Sequence, residues 1–156
     1  MNDQLRQLAV DHSLASDDKR MLRLRFGLAC ANRVRHLLED PRAVELLDVL
    51  QAFVDGIADD AVLQAAVAEA ALVANHHRGS TSIDGTKHSA VSATYAVANA
   101  LAGKALDAAD YAAYSTVYGY GGYAVNDPDS FAPEHAWQLT MLTQLIHEET
   151  AAHSVT

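Results

Sequence analysis

Eight histidines are the residues of this 156-residue chain best suited to chemistry near neutral pH, because imidazole can bind a metal or carry a proton. Their spacing gives either role little support. His76 and His77 are adjacent, so on a helix their side chains diverge by about 100°, and no HExxH motif occurs. One metal site stays open, formed by Glu69, His76 and His88 if the helices that carry them meet. The sequence favours no metal and no cofactor.

Nucleophilic catalysis is a second chemistry that the residue types allow. The candidates lie close together in sequence and comprise Ser80, Ser82, His88 and Ser89. No GxSxG motif and no distinctive pair of carboxylates fixes a geometry around them. The stretch 79–87, GSTSIDGTK, has turn composition and departs from a phosphate-binding loop, because Thr86 precedes Lys87 where the lysine has to come first. We therefore predict that the chain is not an enzyme.

Six tyrosines lie in the second half of the chain and suit recognition better than catalysis. Tyr111, Tyr114 and Tyr118 are spaced to share one face of a helix, and a glycine- and tyrosine-rich stretch follows at 119–123. Burial of this face against a packed loop is one interpretation. The other is an adaptable binding surface, for which tyrosine and glycine are typical.

We place the candidate partner-binding residues in two irregular segments, 76–88 and 118–129. These residues are His76, His77, Arg78, Asp84, Lys87, His88, Tyr118, Tyr120, Tyr123, Asp127 and Asp129.

The element that organises the chain is the stretch 21–38, in which apolar residues recur at helical spacing. We predict that Phe26 and Cys30 lie in its buried face, with Cys30 as a small apolar residue and not a reactive thiol. Its arginines include Arg23 and Arg33, for which we predict structural roles, as we do for Trp137. Their nearest expected partners are acids of the following helix, namely Glu45, Asp48 and Asp55.

Apolar periodicity and turn residues divide the rest of the chain into helices. We predict a loosely packed arm or short helix over 1–15, helices over 17–39, 42–54, 59–78, 88–102, 108–118 and 133–150, and a frayed tail over 151–156. Half of the residues are apolar, many of them alanine, and no alternating strand pattern occurs. The prediction is an all-α fold, with 1–156 as a single compact domain of about five to seven helices built on antiparallel hairpins.

Charge is distributed unevenly along the chain, whose net charge is -9. Residues 1–42 carry eight basic and six acidic side chains, whereas 43–156 carry three basic and fourteen acidic ones. An acidic body disfavours nucleic acid as a partner and suits a basic protein. The first residues lack the pattern of a signal peptide, and no apolar run approaches the roughly 20 residues of a membrane span. We expect a cytoplasmic protein that does not bind membranes.

Residues 22–59 read LRLRFGLACANRVRHLLEDPRAVELLDVLQAFVDGIAD. This stretch has a leucine/arginine start, an alanine-cysteine helix, a His-Leu-Leu-acid turn, and an acidic helix ending in Phe-x-Asp-Gly. It resembles the all-helical immunity proteins of bacterial polymorphic toxin systems and related bacterial helical proteins, over about residues 19–65. Relatives are often richer in cysteine. The resemblance implies that the chain neutralises a cognate toxin by binding it, with no catalytic residues.

Three functions follow from these observations. The first is an immunity protein whose partner is a cognate toxin, expected to be basic. The second is a scaffold or homo-oligomerisation module that packs through its small-residue helices. The third is a metal-binding helical protein that uses its histidines.

Overall fold

The computed structural model describes residues 2–77 and 86–154, and it confirms the all-α prediction. Of the described residues, 84% are helical, counting α and 3₁₀ helices together, and no strand occurs among them. The helices are α1 (Asp3–Asp11), α2 (Arg20–Arg33), α3 (Pro41–Val54), α4 (Asp60–His76), α5 (Thr86–Leu101), α6 (Ala105–Tyr118) and α7 (Ala132–Ser154). Short 3₁₀ helices occupy Asp17–Lys19, Arg35–Leu37, Gly122–Asn126 and Pro128–Phe131. Within the described ranges, no helix combines the length and apolar character needed to cross a bilayer.

Helix α2 lies at the centre of this compact domain and contributes to two hydrophobic clusters. Phe26 and Cys30 are fully buried in the first cluster, which α1, α5, α6 and α7 complete. Leu24 and Leu28 belong to the second cluster, with residues of α3, α4, α5 and α6. Burial of both faces explains why the apolar stripe of this helix is so wide in the sequence.

Helices α5 and α6 form a tight antiparallel hairpin because their facing side chains are small. Both faces are alanine-rich, and Ser89 and Ser115 exchange hydrogen bonds, each hydroxyl donating to the other residue's carbonyl oxygen, at 2.8 and 2.6 Å. On the other side of α5, Gly27 of α2 lies so close to Ala100 that an added Cβ would stand 3.0 Å from the Ala100 Cα. Small residues thus set the spacing of the central helices.

Several predicted helix boundaries were wrong. The helix expected over 17–39 is α-helical only from Arg20 to Arg33 and continues as 3₁₀ turns at both ends. The helix expected from residue 108 begins at Ala105, directly after Gly103 turns the chain with a φ of 76°. The tail expected to fray from 151 stays helical to Ser154. Most of the predicted loop 79–87 lies outside the described residues, and α5 already begins at Thr86.

The first residues form the short helix α1, one of the two predicted alternatives, but this helix is anchored and not loosely packed. Leu5 is buried in the first cluster, and the buried Asn2 side chain caps α1 by accepting from the Leu5 amide. The Asn2 amide group donates to the His135 carbonyl oxygen and to Gln138 Oε1, at 3.1 and 3.2 Å. These bonds fix α1 against α7.

The arginines of the α2 region were predicted to pair with acids of the following helix, but most of them bind elsewhere. Arg35 does reach Asp48 of α3, at 2.8 Å, but no ion pair joins the predicted partners Glu45 and Asp55 to an arginine in the described ranges. The others bind elsewhere: Arg20 pairs with Asp60 of α4, Arg33 with Glu134 of α7, and Arg42 of α3 with Glu69 of α4. Arg23 donates instead to the carbonyl oxygens of Leu14 and Ser16, both at 2.7 Å. The ion pairs of Arg20, Arg33 and Arg42 join residues that are far apart in sequence, and helix periodicity alone does not indicate them.

Candidate protein-binding surface

The helix spacing of the tyrosines places Tyr111, Tyr114 and Tyr118 on the outer face of α6. Tyr111 and Tyr114 each keep 38% of their surface exposed. Tyr95 of α5 stacks on Tyr111, with ring centroids 5.2 Å apart, and its hydroxyl donates to Asn75 Oδ1 of α4 at 3.2 Å. The predicted common face therefore forms, and it is only half covered.

A chain of ring contacts extends this face from α6 to α5, to the 3₁₀ helix Pro128–Phe131 and to α7. His88 of α5 stacks on Tyr118 at 5.2 Å, and Tyr118 lies 6.2 Å from Tyr114. Tyr114 meets Phe131 edge-on at 5.2 Å, and Phe131 lies 5.6 Å from His135 at the start of α7. The seven rings are called the aromatic row below: His88, Tyr95, Tyr111, Tyr114, Tyr118, Phe131 and His135. Five of the rings form one continuous chain of contacts, and Tyr95 and Tyr111 form a separate stacked pair. Every ring of the row therefore contacts at least one other ring, which restricts the motion of its side chain.

The turn after α6 exposes two further tyrosines. Tyr120 keeps 54% and Tyr123 78% of its surface exposed. Gly121 has a φ of 121°, which disfavours any side chain there, and a Cβ would come within 2.6 Å of the Tyr123 ring. The glycine thus lets the Tyr123 ring lie across the backbone. Next in the chain, Asp127 caps a 3₁₀ turn by accepting from the Asp129 amide at 3.0 Å.

Several carboxylates flank the residues of the aromatic row along the chain. Asp127 and Asp129 are exposed beyond Phe131, and Asp107 is exposed one turn before Tyr111. Asp110 lies one helical turn before Tyr114 and pairs with Arg6 at 3.1 Å. Burial raises the pKa of the Asp110 carboxyl group, and Arg6 opposes that shift. Exposed aromatic faces beside carboxylates suit lysine and arginine side chains, which can bind both.

Burial sets the protonation of one histidine in the row, His135. It lowers the pKa of His135, against the opposing effect of nearby carboxylates, including Asp110. His135 is therefore expected to be neutral at pH 7 and to act as an aromatic ring in the row.

The predicted partner-binding residues are only partly brought together. His88 and Tyr118 touch within the row, and Tyr120, Tyr123, Asp127 and Asp129 follow on the turns beyond α6. His76 and His77 lie apart at the end of α4, on a cleft of about 380 Å³ that they share with Arg42 and Glu69. Arg78, Asp84 and the side chain of Lys87 lie outside the described residues.

The metal site that the sequence left as an alternative, formed by Glu69, His76 and His88, does not form. His88 stacks on Tyr118, Glu69 pairs with Arg42, and His76 Nδ1 lies 2.7 Å from the Leu72 carbonyl oxygen. In the described part of the chain, no group of three or more histidine, cysteine, aspartate or glutamate side chains is placed to hold a metal ion.

The predicted structural residues occupy the interior or its edge. Burial raises the pKa of the fully buried Cys30 thiol far above its usual range, so the thiol stays protonated and unreactive. Arg33 binds both carboxylate oxygens of Glu134, at 2.6 and 3.0 Å, and its guanidinium lies 4.4 Å from the centroid of the Trp137 ring.

Of the seven rings, only His88 and Tyr118 were among the predicted partner-binding residues, and sequence reasoning singled out neither Phe131 nor His135. Their spacing of four residues was a usable signal, because it predicts a shared face once the last helix begins near 132. What the sequence could not supply was the contact between Phe131 and Tyr114, which depends on how the turn over 119–131 folds back.

Comparison of the chain with protein-family models, with curated proteins and with solved structures gave no match.

Proposed function

We propose that the chain is a cytoplasmic immunity protein that neutralises a cognate basic toxin by binding it, without a catalytic step of its own. The observation that carries this proposal is the half-exposed aromatic row, edged by carboxylates. The resemblance of residues 22–59 to immunity proteins of toxin systems points in the same direction.

The physical basis is the composition of a protein-binding surface. Tyrosine supplies a large contact area at a low cost in side-chain entropy, and it is enriched at the residues that dominate binding energy. The ring contacts of the row reduce that cost further by fixing the side chains in advance. Fourteen acidic against three basic residues over 43–156 would attract a basic toxin and speed its association.

The deciding experiment is co-expression with the neighbouring toxin gene. We expect the chain to relieve toxicity and to bind the purified toxin domain. Relief should be lost, and affinity should fall about thirtyfold or more, in the variant Tyr114→Ala, because central interface tyrosines typically contribute about 2 kcal/mol or more. The control is Ile57→Ala, which removes an even more exposed apolar side chain (80% against 38% for Tyr114) from the turn after α3, away from the aromatic row.

Failure to relieve toxicity would refute the proposal. Relief that survives Tyr114→Ala at unchanged affinity would move the binding surface away from the aromatic row. Binding that remains as strong in high salt as in low salt would refute the electrostatic part of the argument.

A scaffold function through small residues has less support. The alanines of α5 and α6 are largely buried within the chain itself, including Ala93, Ala96, Ala109 and Ala112. A homo-oligomer would have to use another surface, and light scattering at high concentration measures whether one forms.

A further inference from the structure

A second site lies at the opposite end of α6 from Tyr118. A cavity of about 650 Å³ opens between the end of α1, the turn that follows it, and the turn from α5 to α6. Its lining is mainly apolar and includes Ala9, Leu14 and Leu106. The volume is within the range of small-molecule binding pockets, about 300–1,000 Å³.

The charged groups at this cavity reverse the sign of the molecule as a whole. Three cations line it, namely Arg6, Arg23 and Lys104, against one carboxylate, Asp107. The chain as a whole has 11 basic and 20 acidic residues. A local excess of cations therefore lines an apolar cavity in a molecule that is acidic overall.

The three cations differ in what already binds them. Arg6 pairs with Asp110 at 3.1 Å. Arg23 uses Nη1 to bind two carbonyl oxygens, which holds its guanidinium at the rim. Lys104 is exposed, and the ion pairs of the described residues do not include it. Its ammonium group is the natural first partner for an incoming anion.

Tight turns build both walls of the cavity. Ser13 has a φ of 54°, a left-handed conformation that costs a non-glycine residue about 1 kcal/mol, and Gly103 has a φ of 76°. Folded turns of this kind fix where Leu14 and Lys104 lie, so the cavity does not depend on a movable loop in the described chain.

We propose that this cavity binds a small amphipathic carboxylate, with an apolar chain against Ala9, Leu14 and Leu106 and its carboxylate at Lys104 and Arg23. The apolar lining accounts for the body of the ligand, and the cations account for its head. A neutral ligand would leave the cations unused, and a cationic ligand would be repelled. The site is independent of the aromatic row and of toxin binding.

The test is calorimetric titration of the full chain with decanoate, decanol and decyltrimethylammonium, all below the concentrations at which they form micelles. We expect saturable binding of one decanoate, at least tenfold weaker binding of decanol, and no binding of the cation. No decanoate binding, or equal binding of decanoate and decanol, would overturn the proposal. Binding to anionic phospholipid vesicles without binding to free decanoate would overturn it as well, in favour of a membrane surface.

Two variants locate the site, and a third serves as the control. Lys104→Ala should weaken decanoate binding about five- to tenfold, as expected for one partly screened charge contact, and leave decanol binding unchanged. Ala15→Phe places a ring into the cavity from its exposed rim and should abolish binding of both. Arg25→Ala removes an equal charge from the exposed side of α2 and should change nothing. Decanoate binding unaltered by both Lys104→Ala and Ala15→Phe would place the ligand elsewhere and refute the assignment.

Discussion

Arg33 binds a side chain that lies 101 positions further along the chain. It joins the end of α2 to the start of α7 through Glu134, a carboxylate that is only 6% exposed, and it covers the face of Trp137. The hydrogen bonds to Glu134 are the main reason that the pKa of Arg33 is raised. A buried carboxylate depends on its partner, because loss of the partner leaves an uncompensated charge in the interior.

We therefore expect Arg33→Ala to lower the free energy of unfolding by about 2–3 kcal/mol, since it strands Glu134 and removes the contact with Trp137. Urea unfolding measures the change. Arg35→Ala is the matched control, because Arg35 pairs with the exposed Asp48, and such pairs contribute about 0.5 kcal/mol or less. Equal unfolding midpoints for the two variants would contradict the structural role of Arg33, and a larger effect on toxin affinity than on stability would reassign it to the interface.

His135 gives the molecule a predictable pH dependence. Burial holds the pKa of His135 below its unfolded value of about 6.5. The unfolded chain therefore binds a proton that the folded chain resists, so stability is fully present above pH 6.5 and is lost as pH falls from about 6.5 toward the folded pKa. Asp110, Asp3 and Glu134 oppose this effect through their charge.

The variant His135→Gln should show a shallower fall in stability between about pH 7 and 5.5 than the wild type. Chemical unfolding at a series of pH values measures the slope, which does not depend on the loss of the ring contact itself. His147→Gln, at an exposed position of α7, is the control and should keep the wild-type slope. An unchanged slope in His135→Gln would show that His135 is not the titrating group.

At the scale of elements, the crossing of α2 and α5 depends on the absence of one side chain. A Cβ on Gly27 would lie 3.0 Å from the Ala100 Cα and 3.2 Å from its Cβ, so backbone would have to move. Alanine gains about 1 kcal/mol over glycine in helix propensity, whereas overpacking a core costs about 1–3 kcal/mol. The steric term decides, because the contact is with backbone and both helices are pinned in the core.

Gly27→Ala should therefore destabilise the protein by about 1 kcal/mol, although alanine is the better helix former. Gly122→Ala is the control, because nothing lies within 4 Å of a Cβ there, and we expect it to stay within about 0.5 kcal/mol of the wild type. Thermal or urea unfolding distinguishes the two. A stabilised Gly27→Ala variant would show that the helices can separate by a few tenths of an ångström without cost.

Elements are also the scale at which the sequence was most informative. Periodicity predicted α2 to α7 near their observed places and left a short helix at α1 as one of two alternatives, and the tyrosine spacing predicted the common face of α6. The start of α6 was missed because an aspartate such as Asp107 is a preferred residue at a helix cap, whereas the turn at Gly103 begins the helix earlier. The bond between Arg33 and Glu134 joins residues 101 positions apart, and local patterns carry no information on such pairing.

The described residues form two hydrophobic clusters but not two independent halves. Helices α2, α5 and α6 contribute side chains to both clusters. Neither cluster can lose its packing without exposing apolar surface on helices that the other needs. The described architecture therefore favours one cooperative unfolding transition.

This cooperativity can be measured with one fluorescent reporter per cluster. Trp137 packs against the first cluster, and Phe53 against the second. We expect the two signals, fluorescence and far-UV circular dichroism, to give the same urea midpoint as each other within each protein. The two proteins are the wild type and a Phe53→Trp, Trp137→Phe variant. Separate midpoints in either protein would show that one cluster melts before the other.

The anchoring of α1 has a consequence for biosynthesis. Asn2 and its partner Gln138 are 136 positions apart, so α1 leaves the ribosome long before the helix that covers it has been made. At typical elongation rates the delay is on the order of ten seconds, whereas helices fold in microseconds. During that interval Leu5 cannot reach its fully buried position in the first cluster, because α7 has not yet been made. The hairpins of α2 to α6 can already close. Docking of α1 onto α7 is thus expected to be the last step of folding during translation, and the exposed α1 is where a nascent-chain chaperone would first find an apolar surface.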